Sequence, residues 1–331
     1  MQINEKITNL TDLYNHFVMR DGFVFTSICD PTDVYDAIVI RYPETARCYS
    51  PIVGVSSRSI DEHIRLINQN KLCKALIIAE KLDFLDRCPT LTHLEIVPAF
   101  NINGNLDLTQ LYKQPKIQYL NFPRQSGLKI NGIKEGKRGP IDFSNIIGLE
   151  ELSFEVSKTD SASHPIHSLK KLSISKFKSN TSEPLQGLFD GGQMSDIDFT
   201  QCNLTSLKFL KNCTTLSDVS INYDRAFSDL LELYDFRDTI EHLSIYNCSK
   251  IINFGVISNF YHLLSLHLWG SNQVSDLSFL RELNQLKIFT FDMNVINGDL
   301  SFCLNIPYVY SAKDRRHYNY KDAQLPKKNE I

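Results

Sequence analysis

Apolar residues recur along most of this chain in one short pattern, L-x-x-L-x-L with apolar substitutes. The clearest copy is Leu149-Glu-Glu-Leu152-Ser-Phe154. Before it stand Leu91/Leu94/Ile96 and Ile117/Leu120/Phe122, with a weaker copy at Cys73/Leu76/Ile78. After it come Leu169/Leu172/Ile174, Met194/Ile197/Phe199, Leu216/Val219/Ile221, Ile240/Leu243/Ile245, Leu263/Leu266/Leu268 and Leu286/Phe289/Phe291, with a degenerate copy at Ile306/Val309. The spacing settles at roughly 23 residues in the later copies, shorter than helical-pair repeats. Side chains alternate along a strand, so both apolar residues of x-L-x-L-x face one way. One such strand cannot bury its face alone. Stacked copies make a parallel sheet over a continuous core. The segments between strands carry a second apolar set, as in Leu204-Thr-Ser-Leu207-Lys-Phe-Leu210 and Val274-Ser-Asp-Leu277-Ser-Phe-Leu280. These predict a short helical or 3₁₀ side opposite the sheet.

On these residues the chain resembles the leucine-rich-repeat superfamily. It looks most like the class with repeats of about 22 residues, which includes a phosphatase-1 regulatory subunit and the internalin repeats. The resemblance covers roughly residues 71–310 and implies an α/β fold. The expected form is a solenoid, or horseshoe, with a parallel concave sheet and an irregular, 3₁₀ or short-helix convex side. It also implies protein binding on the concave face. Members favour Asn or Cys three residues past the last strand hydrophobe, where the side chain bonds to turn backbone. Cys202, Asp224, Cys248, Ser271 and Asn294 hold that position here, and Ser157 in an earlier copy. Ala99, Gln125 and Phe177 depart from it, which predicts a less regular N-terminal half.

Residues 1–70 lie outside the pattern and read as an α/β cap over the first repeat. Tyr35–Tyr42 reads as a strand. Ser59–Ile67 reads as a helix with Ile60, Ile64 and Ile67 on one face and a Ser59/Glu62 capping box. Residues 311–331 read as a C-terminal cap and polar tail. Tyr308, Tyr310, Tyr318 and Tyr320 are available to close the core edge, and the stretch from Pro326 is expected to fray. An insertion around Arg124 to Pro140 carries Lys129, Lys134, Lys137 and Arg138 and reads as a solvated loop.

Composition narrows the function classes. The chain has 331 residues, 42% hydrophobic and 22% charged, with a formal net charge of −3. That balance points away from nucleic-acid and membrane-surface binding. No secretory leader or apolar run long enough to span a bilayer is seen, so a cytoplasmic monomer is expected. The eight cysteines, Cys29, Cys48, Cys73, Cys88, Cys202, Cys213, Cys248 and Cys303, are scattered without CxxC or CxxH pairs. They read as free thiols, and no metal or other cofactor is expected.

Outward positions on the predicted strands hold Glu95, Glu151, Glu155, Asp196, Asp198, Asp218 and Asp292 against one base, Lys171, whereas the whole chain has 38 acids to 35 bases. Trp269, the sole tryptophan, falls outside the core with Tyr246 and His267 beside it. Exposed Trp and Tyr beside acids make the composition of an interface hot spot. The expected partner-binding set is Glu151, Glu155, Asp196, Asp198, Asp218, Asn222, His242, Tyr246, His267, Trp269 and Asp292. The expected function is a non-enzymatic module gripping a basic protein, for instance an immunity protein or antitoxin against a toxin domain. An adaptor or phosphatase-regulator-like subunit is the alternative in the same class. A rival enzymatic reading would use Asp196, Asp198, Asp218, His242 and His267, but no nucleophile motif or ligand spacing accompanies them.

Overall fold

The computed structural model describes residues 37–42, 59–99, 104–123, 129–130, 133–134, 136–181 and 183–328. They fall into two compact units, one ending at Ser161 and the other beginning at Ala162. Among the described residues no helix is long and apolar enough to cross a membrane.

In the first unit, β1 (Ala37–Tyr42), β2 (Lys74–Ala79), β3 (His93–Pro98), β4 (Tyr119–Asn121) and β5 (Glu151–Glu155) form parallel neighbours in chain order. Residues 35–36 of the expected first strand lie outside the described residues. Helix α1 (Ile60–Asn70) begins on the predicted capping box: the Ser59 amide donates to Glu62 Oε2 at 2.8 Å and the Glu62 amide to Ser59 Oγ at 3.3 Å. It buries Ile64 and Ile67 together with His63. Lys71 ends it at φ 53°, its amide bonding back to Ile67.

The basic insertion is not simply a solvated loop. Lys137–Arg138 pairs in parallel with Asn105–Leu106. The Arg138 side chain is only 9% exposed, and its guanidinium grips Asp160 at both oxygens, at 2.6 and 2.5 Å. The rings of Phe122 and Phe154 lie 5.2 and 5.8 Å from it. A cation escapes solvation here because a carboxylate, a carbonyl and two ring faces replace the water.

In the second unit, β6 (Lys171–Ser175), β7 (Asp196–Thr200), β8 (Asp218–Asn222), β9 (His242–Tyr246), β10 (Ser265–Trp269), β11 (Ile288–Phe291) and β12 (Tyr308–Ser311) are again parallel and in chain order. Burial alternates along β7 and β8, so the second and fourth residues face the core and the others face out. Short 3₁₀ turns such as Lys208–Leu210, Leu230–Phe236 and Ser278–Glu282 supply the other wall. Several begin on an aspartate that accepts the amide two residues on, as Asp229 does from Leu231 and Asp276 from Ser278. Between sheet and turns, the rings of Phe177, Phe189, Phe199 and Phe209 pack with centroids 4.7–6.2 Å apart.

Each of β6 to β10 is followed at once by a left-handed residue: Lys176, Gln201, Tyr223, Asn247 and Gly270. The chain thus takes a positive φ at each of these turns, and after Gln201, Tyr223 and Asn247 the next side chain caps the turn. Cys202 Sγ donates to the carbonyls of Ile174 and Thr200, both at 3.5 Å. Asp224 accepts amides from Leu204, Ala226 and Phe227. Cys248 Sγ donates to Ile221 O at 3.3 Å.

Three expected ladder residues, Ser271, Ser157 and Asn294, leave the role to neighbours. Ser271 is exposed, and the buried Asn272 bonds to the Cys248 and Ile251 carbonyls instead. Gly270 explains the shift: its φ of 137° adds one residue to the turn, and an added Cβ would lie 3.1 Å from Asn247. In the first unit Ser157 is exposed, and the buried Asp160 accepts its amide at 2.7 Å. One repeat after Asn272, the Tyr318 hydroxyl does the capping. It donates to Met293 O and accepts from Val295 N, while Asn294 sits in a two-residue ladder with Gln273.

Burial pushes the Cys202, Cys213 and Cys303 thiols up to about 12 and those of Cys88 and Cys248 to about 11. They are therefore protonated structural groups at neutral pH. Cys29 and Cys48 lie outside the described residues. The tail does not fray where expected. Val309 N bonds to Pro326 O and Lys328 N to Pro307 O, so residues 326–328 cover the free edge of β12. Residues 329–331 are outside the description.

Candidate partner-binding face

The strand register of the second unit arranges the outward side chains in rows. One row runs Lys171, Asp196, Asp218, His242, Ser265, Ile288, Tyr308. The next runs Ser173, Asp198, Ser220, Ser244, His267, Thr290, Tyr310. A third carries Thr200, Asn222, Tyr246 and Trp269. Nine of the eleven expected residues therefore belong to this unit. Glu151 and Glu155 are on β5 of the first unit, half-buried, and Glu155 lines a cleft of about 210 Å³ beside Lys137 and Arg138.

The acids of this face are held by neighbours. Asp198 accepts the Thr200 hydroxyl at 2.8 Å and the Asn222 amide at 2.7 Å. Burial raises its carboxyl above the usual range, against the lowering pull of those two bonds. Asp218 accepts the Ser217 hydroxyl at 2.5 Å. Asp292 is engaged differently: it accepts the Gly270 amide and pairs with Lys313 at 3.2 Å, tying the tail to the last turns.

The histidines join the floor by hydroxyl bonds. His242 Nδ1 lies 2.8 Å from Ser265 Oγ. His267 Nδ1 lies 2.7 Å from Thr290 Oγ1, which also accepts the Trp269 indole N–H at 2.8 Å. Burial and then the neighbouring His242 hold His267 below the ordinary histidine value, so it is neutral at pH 7. A neutral Nδ1 can accept the Thr290 proton, which fixes both the threonine and the indole above it.

Trp269 and Tyr246 stack with centroids 6.3 Å apart and planes 20° from parallel. The row is longer than the sequence predicts. Tyr310 stacks on the other side of Trp269 at 6.0 Å and 27°, and Tyr223 tilts against Tyr246 at 5.1 Å. Tyr223, Tyr246 and Tyr310 are 47%, 37% and 39% exposed. A hydrogen bond with Tyr223 raises the Tyr246 phenol above its usual value. Tyr318 closes the core edge as expected, but Tyr308 and Tyr310 point out of it. The signal was available: counted from Ile306, they occupy outward positions three and five of the last repeat. Tyr223 is harder to foresee, because it sits in the turn beyond the strand.

The repeat, the parallel register and the capped turns define a leucine-rich-repeat fold. No family model matches the chain, and no curated protein matches it. Among solved structures it is similar to an internalin (InlF) from Listeria monocytogenes, at 16% identity over 85% of this chain and 83% of that one, with a TM-score of 0.46. It is also similar to internalin C2 (InlC2) from the same organism, at 19% identity over 64% of this chain and 75% of that one, with a TM-score of 0.36. The fold assignment rests on register and turns, not on these likenesses.

Proposed function

We propose that the chain is a non-enzymatic protein-binding module whose second unit holds its partner on the open face of the sheet. The observation carrying this reading is the row Tyr223, Tyr246, Trp269 and Tyr310, which exposes three tyrosine rings around a half-buried Trp269 on a hydroxyl-lined floor. Aromatic groups held this way offer large contact area at small entropic cost and dominate interface energetics. Asp196, Asp198 and Asp218 lie on β7 and β8 of the same face and favour a partner with basic surface, chiefly by steering encounter and register. An immunity protein neutralising a basic toxin domain fits this chemistry, as does an adaptor or regulatory subunit. The identity of the captured partner separates them. Against catalysis stands the openness of the face. Asp198 and both histidines are bonded within it, and no cluster of metal-ligating residues occurs among the described residues.

The test obstructs the floor. Affinity capture from native lysate is compared for wild type, Ser220→Tyr/Ser244→Tyr, and Lys211→Tyr, which lies off this face. The expected result is a partner retained by wild type and by Lys211→Tyr and lost by the obstructed variant, with unchanged circular dichroism. Equal recovery by the obstructed variant overturns the reading.

A further inference from the structure

We infer that the aromatic row reads cationic side chains, so that the partner presents an exposed arginine- or lysine-bearing segment across Tyr246 and Trp269. This rests on the reading of that face as the binding surface and names what it recognises. The chain already performs this recognition on itself. The Lys327 ammonium lies 5.6 and 5.4 Å from the ring centroids of Tyr308 and Tyr310, with the Asp322 carboxylate at 2.7 Å. Ring faces, one carboxylate and the Val309 carbonyl thus hold a cation at the end of the row.

The same ingredients continue inward. Tyr310 stacks on Trp269 and Trp269 on Tyr246. Asn222 stands beside Tyr246 in register and is bonded to Asp198, which places that carboxylate's strand two strands from Tyr246. Two strand spacings are about 10 Å, close to the screening length at 0.1 M salt. A cation over Tyr246 therefore feels the ring quadrupoles and, partly screened, the Asp198 charge, while Asp218, four residues along β8 from Asn222, acts on the rest of the segment. Of the basic residues near the row, Lys313 is paired with Asp292 and Lys327 with Asp322, and the Arg315 guanidinium bonds to the Asp292 carbonyl. His267 adds none, since burial keeps it neutral. An apolar ligand would use the rings but gain nothing from the acids, so the basic segment is the occupant that uses both.

Trp269 is the only tryptophan, so its emission reports the row directly. The full chain is titrated with a hexa-arginine peptide, with hexaglutamate as control, at low and moderate salt. The expected result is a saturable change in Trp269 emission with hexa-arginine alone. Affinity should fall at least tenfold in Tyr246→Ala, and severalfold in Asp198→Asn/Asp218→Asn or on raising salt. No saturable change, an equal response to hexaglutamate, or unaltered affinity in Tyr246→Ala overturns the inference. If hexa-arginine fails while the obstructed floor still loses its captured partner, the face binds by another chemistry: the cation reading falls and the binding reading stands.

Discussion

Asp160→Ala is expected to destabilise the first unit by about 3–5 kcal/mol, the usual cost of stripping one partner from a buried ion pair. The Asp160 side chain is 0% exposed and that of Arg138 9%. Both terminal guanidinium nitrogens are bonded to it, and the Ser157 amide donates to the same carboxylate. Removal leaves a charged guanidinium against Phe122 and Phe154 with the Glu155 carbonyl, at 2.7 Å, as its main remaining acceptor. Arg138→Ala is expected to be nearly as severe, because it strands the carboxylate. Arg138→Met/Asp160→Leu should cost less than the sum of the single changes, since no charge is then left buried. Urea unfolding of the wild type and these variants decides it. A loss under about 1 kcal/mol in Asp160→Ala, the size of an exposed pair, would mean that the pair is solvated.

The second large effect is on binding. Truncating a central aromatic anchor typically costs about 2 kcal/mol or more, roughly thirtyfold in affinity. Tyr246→Ala/Trp269→Ala is therefore expected to weaken the captured partner by a factor on the order of 10² to 10³. The two rings stack, so the double change should not equal the sum of the single ones. Stability should fall modestly, since Trp269 is half-buried and stacked between Tyr246 and Tyr310. Tyr246 is exposed, and the indole contributes one bond to Thr290, about 1 kcal/mol. Calorimetric titration with the captured partner, alongside urea unfolding, measures both. Less than a fivefold loss of affinity would remove the row from the interface.

What could be read from sequence was whatever repeats. Strands β7 to β9 alternate inward and outward residues as the pattern requires, because a one-residue slip would turn the core face outward. Cys202 and Cys248 were legible as turn caps for the same reason. The misreadings are single departures from periodicity. Gly270 lengthens one turn, which moves the capping role from Ser271 to Asn272. Arg138 looked solvated because a cation in a glycine-rich insertion usually is, and its counter-ion lies 22 residues away. From sequence Tyr310 reads as a core-edge residue, because its repeat is degenerate and its stacking partner is two strands away. The ring row itself depends on side-chain direction across strands: the indole leans toward Thr290 on β11, which no linear spacing encodes. The acids illustrate the reverse case. Asp198, Asp218 and Asp292 share the predicted face, yet hydrogen bonding sorts them, with Asp292 tied to Lys313 and the last turn.

Trp269 offers the most direct test that the open face of the second unit is where the partner sits. Acrylamide quenching of its emission is measured for the free chain and for the chain saturated with its captured partner. The account predicts a fall in the quenching rate on saturation, as the half-buried ring loses its remaining contact with solvent. An unchanged rate at full saturation would place the partner elsewhere and contradict it.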